Sequence, residues 1–233
     1  ITFKNAQWNI LKSFENSCDA DLVTVFGDRE VFEKKDFFDY IKKRYPNSNI
    51  VGCSSSGNIM DEEVSSAEVV VTAIKFDSSK VALNYIDFKE GENLEELTKR
   101  LASEFQKEGL KHLFVLSDGL NINGSKLVLG FNNVINVPVT GGLAGDGDKF
   151  EKTLVIANDY PCENRIVAIG LYGDNLTVSS GCYGGWSEFG TIRTITKSQD
   201  NILYEIDNEP ALDLYKRYLG EYAKELPYSG LRF

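Results

Sequence analysis

The run Val137-Pro-Val-Thr-Gly-Gly-Leu-Ala-Gly-Asp-Gly-Asp-Lys-Phe150 decides how this chain is read. A short apolar strand, marked by Val137 and Val139, leads into a loop that holds Gly141, Gly142, Gly145 and Gly147. Glycine backbone reaches positive φ and lets a loop approach a ligand or a neighbouring element closely. Asp146 and Asp148 set two carboxylates among these bare amides. Amides beside carboxylates suit a small molecule with one anionic and one cationic end. A tight packing turn is the alternative reading, and the loop alone leaves both open.

Working outward, residues 112–116 read as a buried strand ending at Ser117-Asp118-Gly119, and a helix over about residues 124–135 returns the chain to the glycine loop. Before them, Asn93 followed by Glu96 resembles a capping box, with Leu94, Leu97, Leu101 and Phe105 on one face and Gly109 at the end. Residues 67–76 and 81–88 are β-rich runs joined by Asp77-Ser78-Ser79-Lys80, and their pattern predicts an antiparallel hairpin. Further upstream, a buried strand at 22–26 ends in Gly27-Asp28. Phe37, Ile41 and Tyr45 mark a helix stopped by Pro46. A strand at 50–53 then opens into Ser54-Ser55-Ser56-Gly57-Asn58. At the start of the chain, Trp8, Leu11 and Phe14 fall at helical spacing.

After the glycine loop, residues 153–158, 165–172 and 176–180 read as consecutive strands, followed by a turn-rich piece at 181–190 with Trp186 and a strand at 191–196. Pro210 introduces a helix over residues 211–226. The class is therefore α/β: mixed, largely antiparallel sheet covered by helices. One large sheet or two sheets stacked between helix layers both fit.

Composition bounds function. The 233 residues carry 25 basic and 35 acidic side chains, a net charge of −10, and 42% are hydrophobic, enough for a sizeable core. No basic stripe neutralises phosphates, which argues against nucleic acid. No long apolar run or Lys/Arg-rich amphipathic face argues for membrane insertion. Cys18, Cys53, Cys162 and Cys182 form no metal-site or disulfide pattern, which fits a cytoplasmic setting.

Five stretches together resemble a known family. They are Val51-Gly-Cys-Ser-Ser-Ser-Gly-Asn-Ile59, Leu116-Ser-Asp-Gly-Leu120, residues 137–146, Gly185-Trp186 with Gly190, and Pro210-Ala-Leu-Asp-Leu-Tyr215 through Leu219-Gly220. Their order and spacing are similar to the N-terminal FIST domain, a sensory module of bacterial signalling proteins that also occurs beside an F-box. The resemblance runs from about residue 20 to 220. It places the domain at residues 1–206, with 207–233 as a helix and the start of a connection to a C-terminal FIST domain. It implies a small ligand, amino acid-like, and a signalling output domain or protein. It carries no catalytic residues.

Cys53 invites a nucleophile reading, but an activating base is needed. The single histidine, His112, lies at the entry end of its strand and reads as a satisfied edge residue. Asp146, Asp148 and Glu151 fail the EF-hand spacing, and no GxGxxG opens a helix after a strand, so neither a metal nor a dinucleotide cofactor is expected. Binding remains. Loops that leave strand carboxyl ends converge in open α/β sheets, so the loops at 53–58, 117–119 and 141–148 are expected to share one pocket. Cys53, Ser54, Ser55 and Ser56 would supply donors to a carboxylate, with Gly141, Gly142 and Gly145 giving backbone access. Asp118 or Asp146 would accept from an ammonium, and Trp186 would form an aromatic wall, a lid or part of the core. An enzyme using Cys53 or the loop carboxylates, or a pure interaction module, are the competing classes.

Overall fold

Alternating apolar residues on both faces of several strands require cover on both sides, and the computed structural model shows how each face is covered. It describes residues 1–5, 7–10, 19–65, 68–185, 187, 188 and 190–231. The chain divides into two compact units, residues 1–178 and 179–233.

In the first unit the elements are β1 (Thr2–Lys4), β2 (Gln7–Asn9), β3 (Leu22–Gly27), α1 (Arg29–Phe32), α2 (Lys35–Arg44), β4 (Asn49–Ser54), β5 (Asn58–Met60), β6 (Glu63–Ser65), β7 (Val69–Ile74), β8 (Lys80–Asp87), α3 (Leu94–Ser103), β9 (Leu110–Ser117), α4 (Gly124–Asn132), β10 (Val139–Leu143), β11 (Val155–Ala157) and β12 (Arg165–Tyr172). One sheet has the order β11-β4-β3-β7-β1-β2 and a second the order β10-β9-β12-β8, while β5 and β6 form a small ribbon. Only β3–β4 and β9–β10 pair in parallel among the described strands.

Strand alternation divides the core into three layers. On β3, Val23 and Val25 pack with Phe37, Phe38 and Ile41 of α2. On β9, Leu113 and Val115 pack with Leu97, Leu101, Leu127 and Phe131 of α3 and α4. The residues of opposite parity, Leu22 on β3 and Leu116 on β9, meet between the sheets with Val51, Val155, Val167 and Ile169. The unit is thus two stacked sheets between helix layers. Asn93 caps α3 as its sequence predicts, its side chain accepting from the Glu95 and Glu96 amides at 3.1 and 3.3 Å.

Several expectations are corrected. Strands β7 and β8 are not a hairpin: β7 lies between β3 and β1, β8 pairs β12 in the other sheet, and residues 75–79 cross from one sheet to the other. Both runs have the β pattern, but the pattern does not say which edge each strand joins. Residues 176–180 make no strand, because both edges of β12 are already occupied, by β9 and β8. Gly141 and Gly142 belong to β10 rather than to a loop. Gly141 has φ +152°, and a Cβ there would stand 1.7 Å from the Val115 carbonyl oxygen of β9. Trp8 lies in a strand, stacked 4.3 Å from the Tyr40 ring, whereas Leu11 and Phe14 lie outside the described residues.

The second unit holds a three-stranded antiparallel sheet, β13 (Ile195–Gln199), β14 (Ile202–Ile206) and β15 (Glu209–Pro210), and the helix α5 (Ala211–Leu219). Pro210 stands just before α5, as expected, and Ala211, Leu214 and Leu219 are buried. The helix stops earlier than its pattern suggested, with Gly220 at φ +56° and a 3-10 turn over Gly220–Glu225.

Candidate ligand cleft

The carboxyl ends of β3 and β4 lie side by side, with Gly27 in register with Ser54. The chain after β10 reaches them from the other sheet: the Gly145 amide donates to the Ser54 carbonyl at 2.9 Å, and the Ala144 amide to the Ser117 carbonyl at 2.8 Å. The three loops singled out in the sequence therefore come together at one end of the sandwich. A cleft of about 230 Å³ at this end is lined by residues 28–30, 55–58 and 146–149; the 117–119 loop does not line it, and residues 28–30 after β3 take the place expected for it.

Ser55 and Ser56 line this cleft. The Ser55 hydroxyl donates to Asn58 Oδ1 at 2.7 Å and that of Ser56 to the Gly147 carbonyl at 3.4 Å. Asp146 also lines it, but its carboxylate is engaged by the protein. Oδ1 accepts from Arg29 Nε at 2.7 Å, and Oδ2 accepts the Glu151 and Lys152 amides at 3.0 Å each. Gly145 packs against Ser56, where an added Cβ would meet Oγ at 2.5 Å.

The remaining expected site residues lie elsewhere. Ser54 is fully buried, and its hydroxyl accepts the Leu154 amide at 3.0 Å. Cys53 lies between the sheets, and burial pushes its thiol up to about 12, so it is held as a thiol rather than a nucleophilic thiolate. Asp118 is fully buried beside the cleft and accepts three backbone amides, from Leu120, Asn121 and Asn164, at 2.8 to 3.0 Å. Gly141 and Gly142 sit in β10, and Trp186 lies outside the described residues. His112 is not at an edge: β9 runs between β10 and β12, and the imidazole is buried at the far end of β9 from Ser117. Its Nε2 meets Thr140 Oγ1 at 2.7 Å, while Nδ1 has no partner among the described residues.

Sequence reasoning passed over Asp28, Arg29, Glu30 and Lys149, while Gly57 and Asn58 belong to the 53–58 loop that was expected to line the pocket. Asp28 follows Gly27 directly at the end of a buried strand, the same signal that drew attention to Ser54 and Asp118. Its carboxylate accepts from the Asn58 amide at 3.4 Å and forms no ion pair among the described residues. Burial pushes this carboxyl above its ordinary value, opposed by the Asn58 bond. Arg29 also lines the cleft. Its side chain is 13% exposed and binds Asp146, Glu151 at 3.0 Å and Glu33 at 3.3 Å. Lys149 pairs with Glu30. Among the described residues no group of His, Cys, Asp and Glu is arranged to hold a metal. No helix among them is long and apolar enough to cross a membrane.

A family model, the FIST N domain, matches residues 21–209. The chain belongs to this family. FIST domains are sensory domains implicated in small-ligand binding. The chain is also similar to an uncharacterized protein of Methanocaldococcus jannaschii, 24% identical over 205 residues, which cover 82% of this chain and 39% of that protein. It thus spans well under half the length of that relative. The matched span of the FIST model takes in every residue that lines the cleft.

Proposed function

We propose that this FIST domain senses an amino acid or a similar small amine-bearing metabolite in the cleft between residues 28–30, 55–58 and 146–149, binding it without turnover. The observation that carries this reading is the mixed lining of one small space. The Asp28 carboxylate stands there without an ion-pair partner among the described residues. Ser55, Ser56 and the backbone at Gly57 line the same space. An ammonium offsets the burial of Asp28, and a carboxylate accepts from loop amides and from the Ser56 hydroxyl, whose bond to the Gly147 carbonyl is long at 3.4 Å and is exchanged for the ligand. Asp146 acts here by holding Arg29 and the 146–152 loop in position. Occupancy of the cleft would be passed to a signalling partner.

The test is a thermal-shift screen of the amino acids and small amines, followed by calorimetric titration of any hit. A ligand at 100 times its Kd adds about 2.7 kcal/mol, which for a domain of this size raises Tm by about 5–11 °C. Asp28→Asn should weaken binding at least tenfold. The raised carboxyl of Asp28 costs stability once the pH passes its ordinary value, so the unliganded variant should melt no earlier than the parent at pH 7. Binding that survives Asp28→Asn unchanged, or a panel without a single hit, would reject the reading. Conversion of a bound ligand, followed by NMR, would replace sensing with catalysis.

A further inference from the structure

The charges of the cleft narrow the ligand class further. Four carboxylates line it, those of Asp28, Glu30, Asp146 and Asp148, against two cations, Arg29 and Lys149. Both cations are already committed to the protein. Arg29 spends its guanidinium on Asp146, Glu151 and Glu33, and Lys149 pairs with Glu30. The Lys149–Glu30 pair is exposed and therefore weak. Breaking it releases a carboxylate together with the ammonium, so the surplus of negative charge persists. Asp28 and Asp148 form no ion pair among the described residues. Among the described residues the cleft thus offers a ligand two carboxylates without an ion pair and no cation without one.

From this we infer that the cleft selects ligands of net positive charge, amino acids with a basic side chain or small diamines, and discriminates against dicarboxylates. The inference rests on the reading of the cleft as the ligand site. A neutral zwitterion can satisfy Asp28 and the serine loop, but it leaves Asp148 and the surplus charge uncompensated. A second ammonium answers both. A ligand with a second carboxylate finds only committed cations and adds like charge to a lining that already has a surplus of it.

The experiment compares small ligands that differ in charge. The whole chain is titrated calorimetrically with L-lysine, its neutral analogue L-norleucine, putrescine and L-glutamate at low salt. L-Lysine should bind at least tenfold tighter than L-norleucine, and L-glutamate weakest of the four. Asp148→Asn should remove most of the L-lysine advantage while changing L-norleucine binding less than twofold. Half-molar sodium chloride should erode the same advantage by screening. If L-lysine and L-norleucine bind within twofold of each other, or L-glutamate binds tightest, charge selection is overturned while the cleft remains the ligand site. If Asp148→Asn leaves the L-lysine advantage intact, the assigned carboxylate is wrong and the inference falls with it. If none of the four binds, the reading of the cleft and the inference fail together.

Discussion

Replacing Asp146 by Asn should destabilise the unliganded protein more than it weakens any ligand. The carboxylate is 3% exposed and serves two masters: Oδ1 takes Arg29 Nε at 2.7 Å, and Oδ2 takes the Glu151 and Lys152 amides at 3.0 Å. An asparagine has one acceptor oxygen. If that oxygen stays on the two backbone amides, the new NH₂ faces the Arg29 Nε–H, donor against donor. The lost charge-assisted bond is worth about 1.5–3 kcal/mol. The guanidinium keeps Glu151 and Glu33, so the full cost of an orphaned buried charge, about 3–5 kcal/mol, is not reached. We expect about 2–3 kcal/mol, or a Tm lowered by roughly 4–12 °C at this size. Melting curves of the unliganded variant check the figure. A double-mutant cycle with Arg29→Met should return a coupling of about 1.5–3 kcal/mol. A Tm within a degree of the parent, together with a tenfold loss of ligand affinity, would refute the reasoning: the carboxylate would then serve the ligand and not the scaffold.

Two further expectations follow from the geometry. Burial pushes the His112 imidazole below its ordinary value of 6.5, so the unfolded chain takes up this proton first. Stability should therefore be full above about pH 6.5 and fall as the pH drops toward the lowered folded value. His112→Gln should flatten the slope of denaturation midpoint against pH between about 5 and 6.5, above the ordinary carboxylate range; an unchanged slope would show that the burial does not control the proton. Gly141→Ala should cost at least about 3 kcal/mol and lower soluble yield, since its Cβ would collide with the β9 backbone at a φ of +152°. Gly142→Ala, next to it in open space, should stay within about 0.5 kcal/mol of the parent. Equal stability for the two variants would mean that the close approach of β10 to β9 is not what requires glycine.

Much of the architecture was legible because period and cap chemistry are local properties. Phe37 and Ile41 mark α2, Asn93 caps α3, and the continuous apolar run of β12 places its span correctly. The pairing of strands was not legible, because it depends on which edges remain free. The runs that became β7 and β8 have the sequence of a hairpin, yet β7 fills the gap between β3 and β1 while β8 closes the outer edge of the second sheet. The same competition for edges left residues 176–180 without a partner.

The site was half legible for a related reason. Strand ends were visible, so Ser55, Ser56 and Asp146 were found, but the role of a polar residue at a strand end depends on what crosses from the other sheet. Asp118 and Asp146 look alike in sequence to Asp28. Only the fold gives Asp118 three backbone amides and Asp146 a guanidinium, and leaves Asp28 without an ion pair among the described residues. The position of the cleft follows from the two parallel pairs. A parallel pair requires a crossover, and helices supply it: α1 and α2 between β3 and β4, α4 between β9 and β10. Each sheet of this largely antiparallel sandwich thus contains one such unit. Each unit sends two strands toward the same end, where the loop that follows β10 bonds back to the Ser117 and Ser54 carbonyls. Ligands gather at the carboxyl ends of parallel strands because the outgoing loops part there and expose backbone. With one parallel unit per sheet and both opening at one end of the stack, loops from the two sheets wall a common cleft, and its charge is set by the residues that follow three separate strands.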